Sequence, residues 1–222
     1  MLVFGHSGYP VILFPTSKGR YYQNKDFGLI DSAAHLIKAG KVKIYCPDSI
    51  DADSWYNYSI HPGERVKMHI AYENIILHDV IEFAKHETGM RKVATAGCSF
   101  GGYHTINLAL KHPDKVGYAF SMGGSFDIKQ FIFGYYDDSC YFNNPPDYLP
   151  DLNDPWYLDK IKQTGIILGT GEYDICLEDN KRLSEILYKK GIDHWLDIRQ
   201  SAVHDWPVWK QMFPHYLSQI SE

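Results

Sequence analysis

Short apolar runs alternate along this chain with longer stretches in which apolar residues recur at helical spacing. The runs PVILFP (10–15), KVKIYC (41–46), RKVATAG (91–97), VGYAFSM (116–122), GIILGTG (165–171) and HWLDIR (194–199) read as strands. Helical patterns lie near 26–39, 64–87, from 100 to 110, 178–190 and 206–219. This βαβ rhythm predicts an α/β fold in which a mostly parallel central sheet is covered by helices on both faces. No internal repeat breaks it, and the expectation is a single domain over residues 1–222. The opening MLVFGHSGYPVILF is apolar but lacks a basic region and is interrupted by Gly, His, Ser and Pro, so it reads as strand and not as a leader.

One segment departs from the rhythm. Residues 125–160 are rich in Tyr, Phe, Asn, Pro and Asp without clean periodicity. A long irregular stretch inside a compact chain is usually functional or disordered, and the aromatic content argues against disorder. It reads as an aromatic-rich insertion covering a site, with Tyr135, Tyr136, Tyr141 and Trp156 expected to shape a substrate pocket; the competing reading is a surface insertion packed on itself.

Sheets of this kind bind ligands beyond the carboxyl ends of their strands. Those loops carry chemistry here: PTSKGR (15–20), PDSIDADSWYN (47–57), GTGEYDICLEDN (169–180) and QSAVHDW (200–206). Between the third strand and its helix stands Gly97-Cys98-Ser99-Phe100-Gly101, the G-x-S-x-G pattern of a nucleophile elbow. In such an elbow the turn is so sharp that the serine is strained, and glycines allow strand and helix to approach. A serine that merely caps the helix is the plainer alternative. Cys98, at the second position, is expected to pack into the strand–helix junction.

A serine hydroxyl needs a base to take its proton, and the base needs an acid to orient it; on this fold the chain order is Ser, then Asp or Glu, then His. Ser99, Asp174 and His204 satisfy that order, each on the loop after a different strand. Of the carboxylates in the sixth loop, Glu178 and Asp179 open a helix and have an adequate role at its positive end, which leaves Glu172 and Asp174. The oxyanion of an acyl-transfer intermediate needs backbone N–H donors. Phe100 supplies one by its place after the serine, and Ser17, with Thr16 as the neighbouring alternative, supplies the second.

Composition narrows the classes. A formal charge of −5 with 22 scattered Lys and Arg gives no basic stripe for nucleic acid or an anionic membrane. No stretch has the length of a membrane-spanning helix. Cys46, Cys98, Cys140 and Cys176 have neither metal spacing nor the density of a disulfide scaffold, which points to reduced thiols in a cytoplasmic protein. His69, His78 and His86 lie along one helix without the i, i+4 spacing of ligands, and His104 on the helix leaving the elbow should point away from the site. Neither metal nor cofactor is expected.

GCSFGGYHTINLALKHPD, ILGTGEYDICLEDNKRLSEIL and HDWPVWK together resemble the esterase D-like branch of the α/β-hydrolases, over about Pro10 to Leu217. That branch includes S-formylglutathione hydrolases, feruloyl and other carboxylesterases, and mycolyltransferases. The resemblance implies an α/β-hydrolase fold and a serine carboxylesterase that cleaves a small-molecule ester or thioester through an acyl-enzyme, without metal. It implies Ser99 as nucleophile, His204 as base, Asp174, six residues before Asn180, as acid, and Ser17 and Phe100 as oxyanion donors. It also implicates Trp55 and Tyr56, in DSWYN, at the substrate pocket. Two departures stand out: members usually open with an antiparallel hairpin, whereas this chain starts almost at its first parallel strand, and PTSKG stands where many hydrolases have a His-Gly or Ser-Gly pair. The alternatives are an acyltransferase of the same fold and a catalytically silent binding module.

Overall fold

Apolar runs buried on both sides build the centre of the molecule. The computed structural model describes residues 1–221. Its seven strands are β1 (Leu2–Phe4), β2 (Tyr9–Phe14), β3 (Val42–Cys46), β4 (Val93–Cys98), β5 (Val116–Met122), β6 (Gly165–Tyr173) and β7 (His194–Val203), in the sheet order β1-β3-β2-β4-β5-β6-β7. All neighbours from β3 to β7 are parallel. At the sheet edge a single antiparallel strand stands in place of a hairpin: β1 pairs with β3 from Leu2 opposite Cys46 to Phe4 opposite Ile44.

Alternation along each strand divides two layers. Val11, Leu13, Ile44, Ala94, Ala96 and Phe120 face α2 (Leu29–Ser32) and α11 (Trp206–Leu217). Ile12, Phe14, Tyr45, Val93 and Ala119 face the opposite layer. That layer contains α4 (Pro62–Ile75), α5 (Glu82–Thr88), α6 (Phe100–Lys111), α8 (Pro145–Asp151) and α10 (Leu177–Lys189). The remaining helices are the short turns α1 (Gln23–Asp26), α3 (Ala34–Lys38), α7 (Asp138–Tyr141) and α9 (Pro155–Ile161).

Three differences from the pattern have local causes. The helix expected over 26–39 is three turns, α1 to α3, because Gly28 takes a left-handed φ of 76° between the first two. The helix expected over 64–87 runs from α4 to α5 with a π-helical segment at Ile76–Ile81, a wider turn inserted into one rod. β6 and β7 extend past the sequence boundaries, to Tyr173 and Val203. The extension of β6 places Glu172 inside a strand and leaves Asp174 as the first residue beyond it.

The insertion at 125–160 is ordered as a 3-10 turn (Ile128–Phe131) followed by α7, α8 and α9. Its Ile128, Phe131, Ile132 and Cys140 join Trp55, Val66, Phe100 and Tyr103 in a third apolar cluster, beside the amino end of α6. Among the described residues, no helix is long and apolar enough to cross a membrane.

β4 and α6 cross so closely that a Cβ on Gly97 would lie 2.3 Å from the backbone of Gly101. No side-chain rearrangement relieves a backbone contact, so strand or helix must move. Gly97→Ala is expected to lower stability by ~3 kcal/mol, the upper range for overpacking a core, read as a shift of the urea midpoint; an unshifted midpoint would show that the crossing tolerates a methyl group.

Candidate active site

The crossing of β4 and α6 forces Ser99 to φ 54° and ψ −123°, a conformation that L-residues rarely adopt. Its N–H donates to Met122 O at 2.8 Å, and its carbonyl accepts from Gly102 N–H at 2.8 Å. The strain therefore persists because both backbone groups are tied down. The side chain is left half-buried at the carboxyl end of the sheet. Cys98 points the other way and is fully buried, and burial pushes its thiol well above the usual range.

β7 ends one residue before His204, and β6 one residue before Asp174. Ser99 Oγ lies 2.9 Å from His204 Nε2, and His204 Nδ1 lies 2.8 Å from Asp174 Oδ1. With Nδ1–H donating to the carboxylate, Nε2 is the free acceptor that faces the serine hydroxyl. The imidazole packs edge-on against Trp209, ring centroids 4.9 Å apart, while Asp205 caps α11 by accepting from Trp206 N–H. His-Asp-Trp thus combines the imidazole facing Ser99, the helix cap and the start of the helix that supports that imidazole.

Asp174 is buried, which by itself raises a carboxyl group. The hydrogen bond from His204 and the N–H of Cys176, 2.7 Å from Oδ1, outweigh that burial and hold the group below its ordinary value. Glu172, the other candidate, accepts from Ser201 N–H at 2.9 Å and has no contact with His204. Sequence alone left these two open because the end of β6 was not legible. Gly123, at φ 62°, covers the pair: a Cβ there would lie 2.8 Å from Asp174 Oδ2 and 2.9 Å from His204 Nδ1. It was missed in the sequence, although the Gly-Gly after β5 was the available signal. Asn180 fastens this turn to the acid loop by donating to Gly124 O and Cys176 O, both at 2.8 Å.

Phe100 N–H is a first-turn donor of α6, one of the groups a helix leaves unpaired. On the facing loop, Thr16 N–H donates to Gln23 Oε1 at 2.9 Å and Lys18 N–H to Asp51 Oδ2 at 3.2 Å. Both neighbours of Ser17 are thus engaged, whereas Ser17 N–H has no partner among the described residues. Of the two candidates, Ser17 is thus the one whose N–H is left open to a ligand.

The expected pocket residues divide. Tyr56 reaches the site: its hydroxyl donates to Ser17 Oγ at 2.8 Å, and its ring packs on Phe100 and Phe131. Trp55 is fully buried behind it, against His69, Tyr103 and Phe131, and supports the wall without lining it. Tyr141 is not brought to Ser99. It lines a cavity of about 540 Å³ with Leu110, Tyr148 and Tyr157, at the far end of α6, roughly 16 Å from the elbow at 1.5 Å of rise per residue. Tyr135 packs on His61, Tyr136 bonds to Asp147, and Trp156 is exposed. Phe131, in the 3-10 turn, packs directly on Tyr56 and Phe100, and Tyr135 lies against the same cluster, while most of the segment folds onto its own helices and α6. This corrects the expectation that Tyr141 shapes the pocket at Ser99.

Asp174, Cys176 and His204 also form a group of potential metal-ligand atoms within 4.8 Å of one another. The imidazole and carboxylate in it are already bonded to each other beneath Gly123.

Asp174→Asn is expected to preserve the fold and to lower kcat on a p-nitrophenyl ester ~10³ to 10⁴-fold, through loss of the imidazole tautomer. Glu172→Gln is expected to stay within a few-fold of wild type. Circular dichroism and steady-state kinetics on both variants check the assignment, and the reverse ranking would move the acid to Glu172.

Three solved structures show the likeness of the whole fold. A ferulic acid esterase superposes with a TM-score of 0.74 at 15% identity, covering 95% of this chain and 83% of its own. The S-formylglutathione hydrolase FrmB of Staphylococcus aureus gives 0.68 at 16% identity, covering 98% and 82%. A fluorophosphonate-binding serine hydrolase, FphF, of the same organism gives 0.66 at 19%, covering 96% and 83%. No curated protein sequence matches the chain. The model of the family described as "Putative esterase" matches residues 5–220. With nearly its full length matched, and with an α/β-hydrolase sheet beneath the match, the chain belongs to that esterase family.

Proposed function

We propose that this protein is a serine carboxylic ester hydrolase in which Ser99 is the nucleophile, His204 the general base and acid, and Asp174 the orienting carboxylate. The observation that carries the reading is the unbroken chain from Ser99 Oγ through both imidazole nitrogens to Asp174, at 2.9 and 2.8 Å. In the first half-reaction Ser99 Oγ attacks the ester carbonyl carbon as its proton passes to Nε2. The carbonyl oxygen becomes an oxyanion facing the N–H groups of Phe100 and Ser17. Collapse expels the alcohol or thiol, which takes the proton from Nε2 and leaves an acyl-Ser99 ester. Water then attacks that ester with its proton going to Nε2, and the acid is released with Ser99 restored.

A small-molecule ester or thioester is the proposed substrate class, and the whole chain is proposed to act as one domain. The wall formed by Tyr56, Phe100 and Phe131 is aromatic and favours a flat or apolar group beside the scissile bond. Burial, partly offset by Ser17, raises the Tyr56 hydroxyl above its ordinary value, so it stays a neutral donor at physiological pH. The four cysteines are free and buried, which supports placing the protein in the reducing cytoplasm.

A fluorophosphonate probe is expected to label Ser99 in the wild type. Ser99→Ala is expected to lose labelling and several powers of ten in turnover while remaining folded. Intact-mass measurement during turnover of a short-chain p-nitrophenyl ester should find the acyl adduct. Adding a series of alcohols separates the outcomes: release of free acid at an unchanged rate supports hydrolysis, and quantitative transfer to an alcohol assigns an acyltransferase. Wild-type turnover in Ser99→Ala would overturn the mechanism.

A further inference from the structure

The loop after β2 holds Lys18 at φ 55°, in the left-handed region. A residue with a Cβ stays in such a conformation only where its surroundings over-determine it. Here the loop is held from three sides: Gln23 accepts from Thr16 N–H, Tyr56 donates to Ser17 Oγ, and Asp51 accepts from Lys18 N–H. Asp51 differs from the other two in being buried away from water, with a side chain 0% exposed. A carboxylate in such a place needs donors on both oxygens. Lys18 N–H serves Oδ2, and His104 Nε2 lies 2.8 Å from Oδ1.

His104 belongs to α6, five residues after Ser99, and is itself buried among the rings of Phe14, Tyr72, Phe100 and Tyr103. One carboxylate therefore bridges the helix that presents Phe100 N–H to the loop that presents Ser17 N–H. The Asp51 carbonyl also accepts from Tyr56 N–H at 2.9 Å, the turn that brings the Tyr56 hydroxyl to Ser17. The sheet aligns the two elements only as far as Phe14 opposite Gly97, and the loop leaves the sheet beyond that pair.

We propose that Asp51 and His104 are positioning residues that fix the separation of the two oxyanion donors, Ser17 N–H and Phe100 N–H. The inference rests on Ser99 being the esterase nucleophile. Neither residue touches Ser99 or His204, so their effect is exerted on the developing oxyanion and not on proton transfer. An oxyanion donor acts through preorganisation, and its displacement removes stabilisation that is realised only in the transition state.

The test compares wild type, Asp51→Asn, His104→Gln and His104→Leu in the full chain. It measures kcat and KM on a p-nitrophenyl ester, thermal unfolding, and inhibition by an aryl trifluoromethyl ketone, whose serine adduct carries an oxyanion. Asp51→Asn is expected to lower kcat ~10²-fold, the scale of one lost oxyanion donor, with KM within about threefold and ketone affinity weakened in parallel with kcat. His104→Gln, whose amide N–H can still donate to Asp51, is expected to recover most of the activity that His104→Leu loses. Near-wild-type kcat in a folded Asp51→Asn, equal rates in the two His104 variants, or a kcat loss with unchanged ketone affinity each overturns the proposal. If Asp51→Asn does not fold, the two His104 variants decide between these outcomes. Failure of a fluorophosphonate to label Ser99 in the wild type would overturn the esterase reading and this inference with it, whereas with a labelled, active wild type the variant results bear on Asp51 and His104 alone.

Discussion

The backbone of Ser99 is the constraint on which the site is built. Its φ of 54° is imposed by the contact of β4 with α6 and secured by hydrogen bonds to Met122 O and from Gly102 N–H. Because the turn is fixed, the hydroxyl has a defined place before any partner arrives. The groups linked to it come from two further strands of the same sheet, beyond β5: Asp174 follows β6 and His204 follows β7. Parallel strands place their carboxyl ends on one side, so residues 75 and 105 positions apart along the chain meet without a long excursion. Relaxing the elbow would displace the hydroxyl while leaving that convergence intact.

Much of this was legible in the sequence, for a physical reason. A close backbone crossing admits only glycine, so Gly97 and Gly101 record the elbow as residue identity. The order Ser99, Asp174, His204 records the topology in the same way. Strand ends are recorded less clearly. The register of β6 against β7 shifts between Gly171 and Tyr173, so no pattern of apolar residues revealed that Glu172 would sit unpaired at this irregularity inside β6 while Asp174 cleared the strand. β1 was obscure as a sheet edge because its partner, Val42–Cys46, lies some forty residues away and the strand has only three residues. Tyr141 was misplaced because aromatic composition says that a segment will be buried somewhere, but not against which surface. His104 was expected to point away from the site, but it packs on Phe100 and bonds to Asp51; that partner, one carboxylate in a loop with several, carried no signal of burial.

The site also depends on a division of labour between polar and apolar contacts. The triad is joined by hydrogen bonds, and the wall beside it by ring contacts among Tyr56, Phe100 and Phe131. Hydrogen bonds fix atoms to a few tenths of an ångström, whereas ring packing fixes shape and excludes water. Under the proposed mechanism, proton transfer and oxyanion binding call on the first, and the fit of a substrate on the second.

The aromatic wall has a hidden fastening. Arg65, on α4, is buried, and its guanidinium donates to the carbonyls of Asn57, Ile60 and Phe131. One cation thus holds the loop bearing Tyr56 and the turn bearing Phe131 to the same helix. The two halves of the wall are thereby denied independent motion. On such a frame the shape of the wall is set by the side chains it carries and not by movement of the loops.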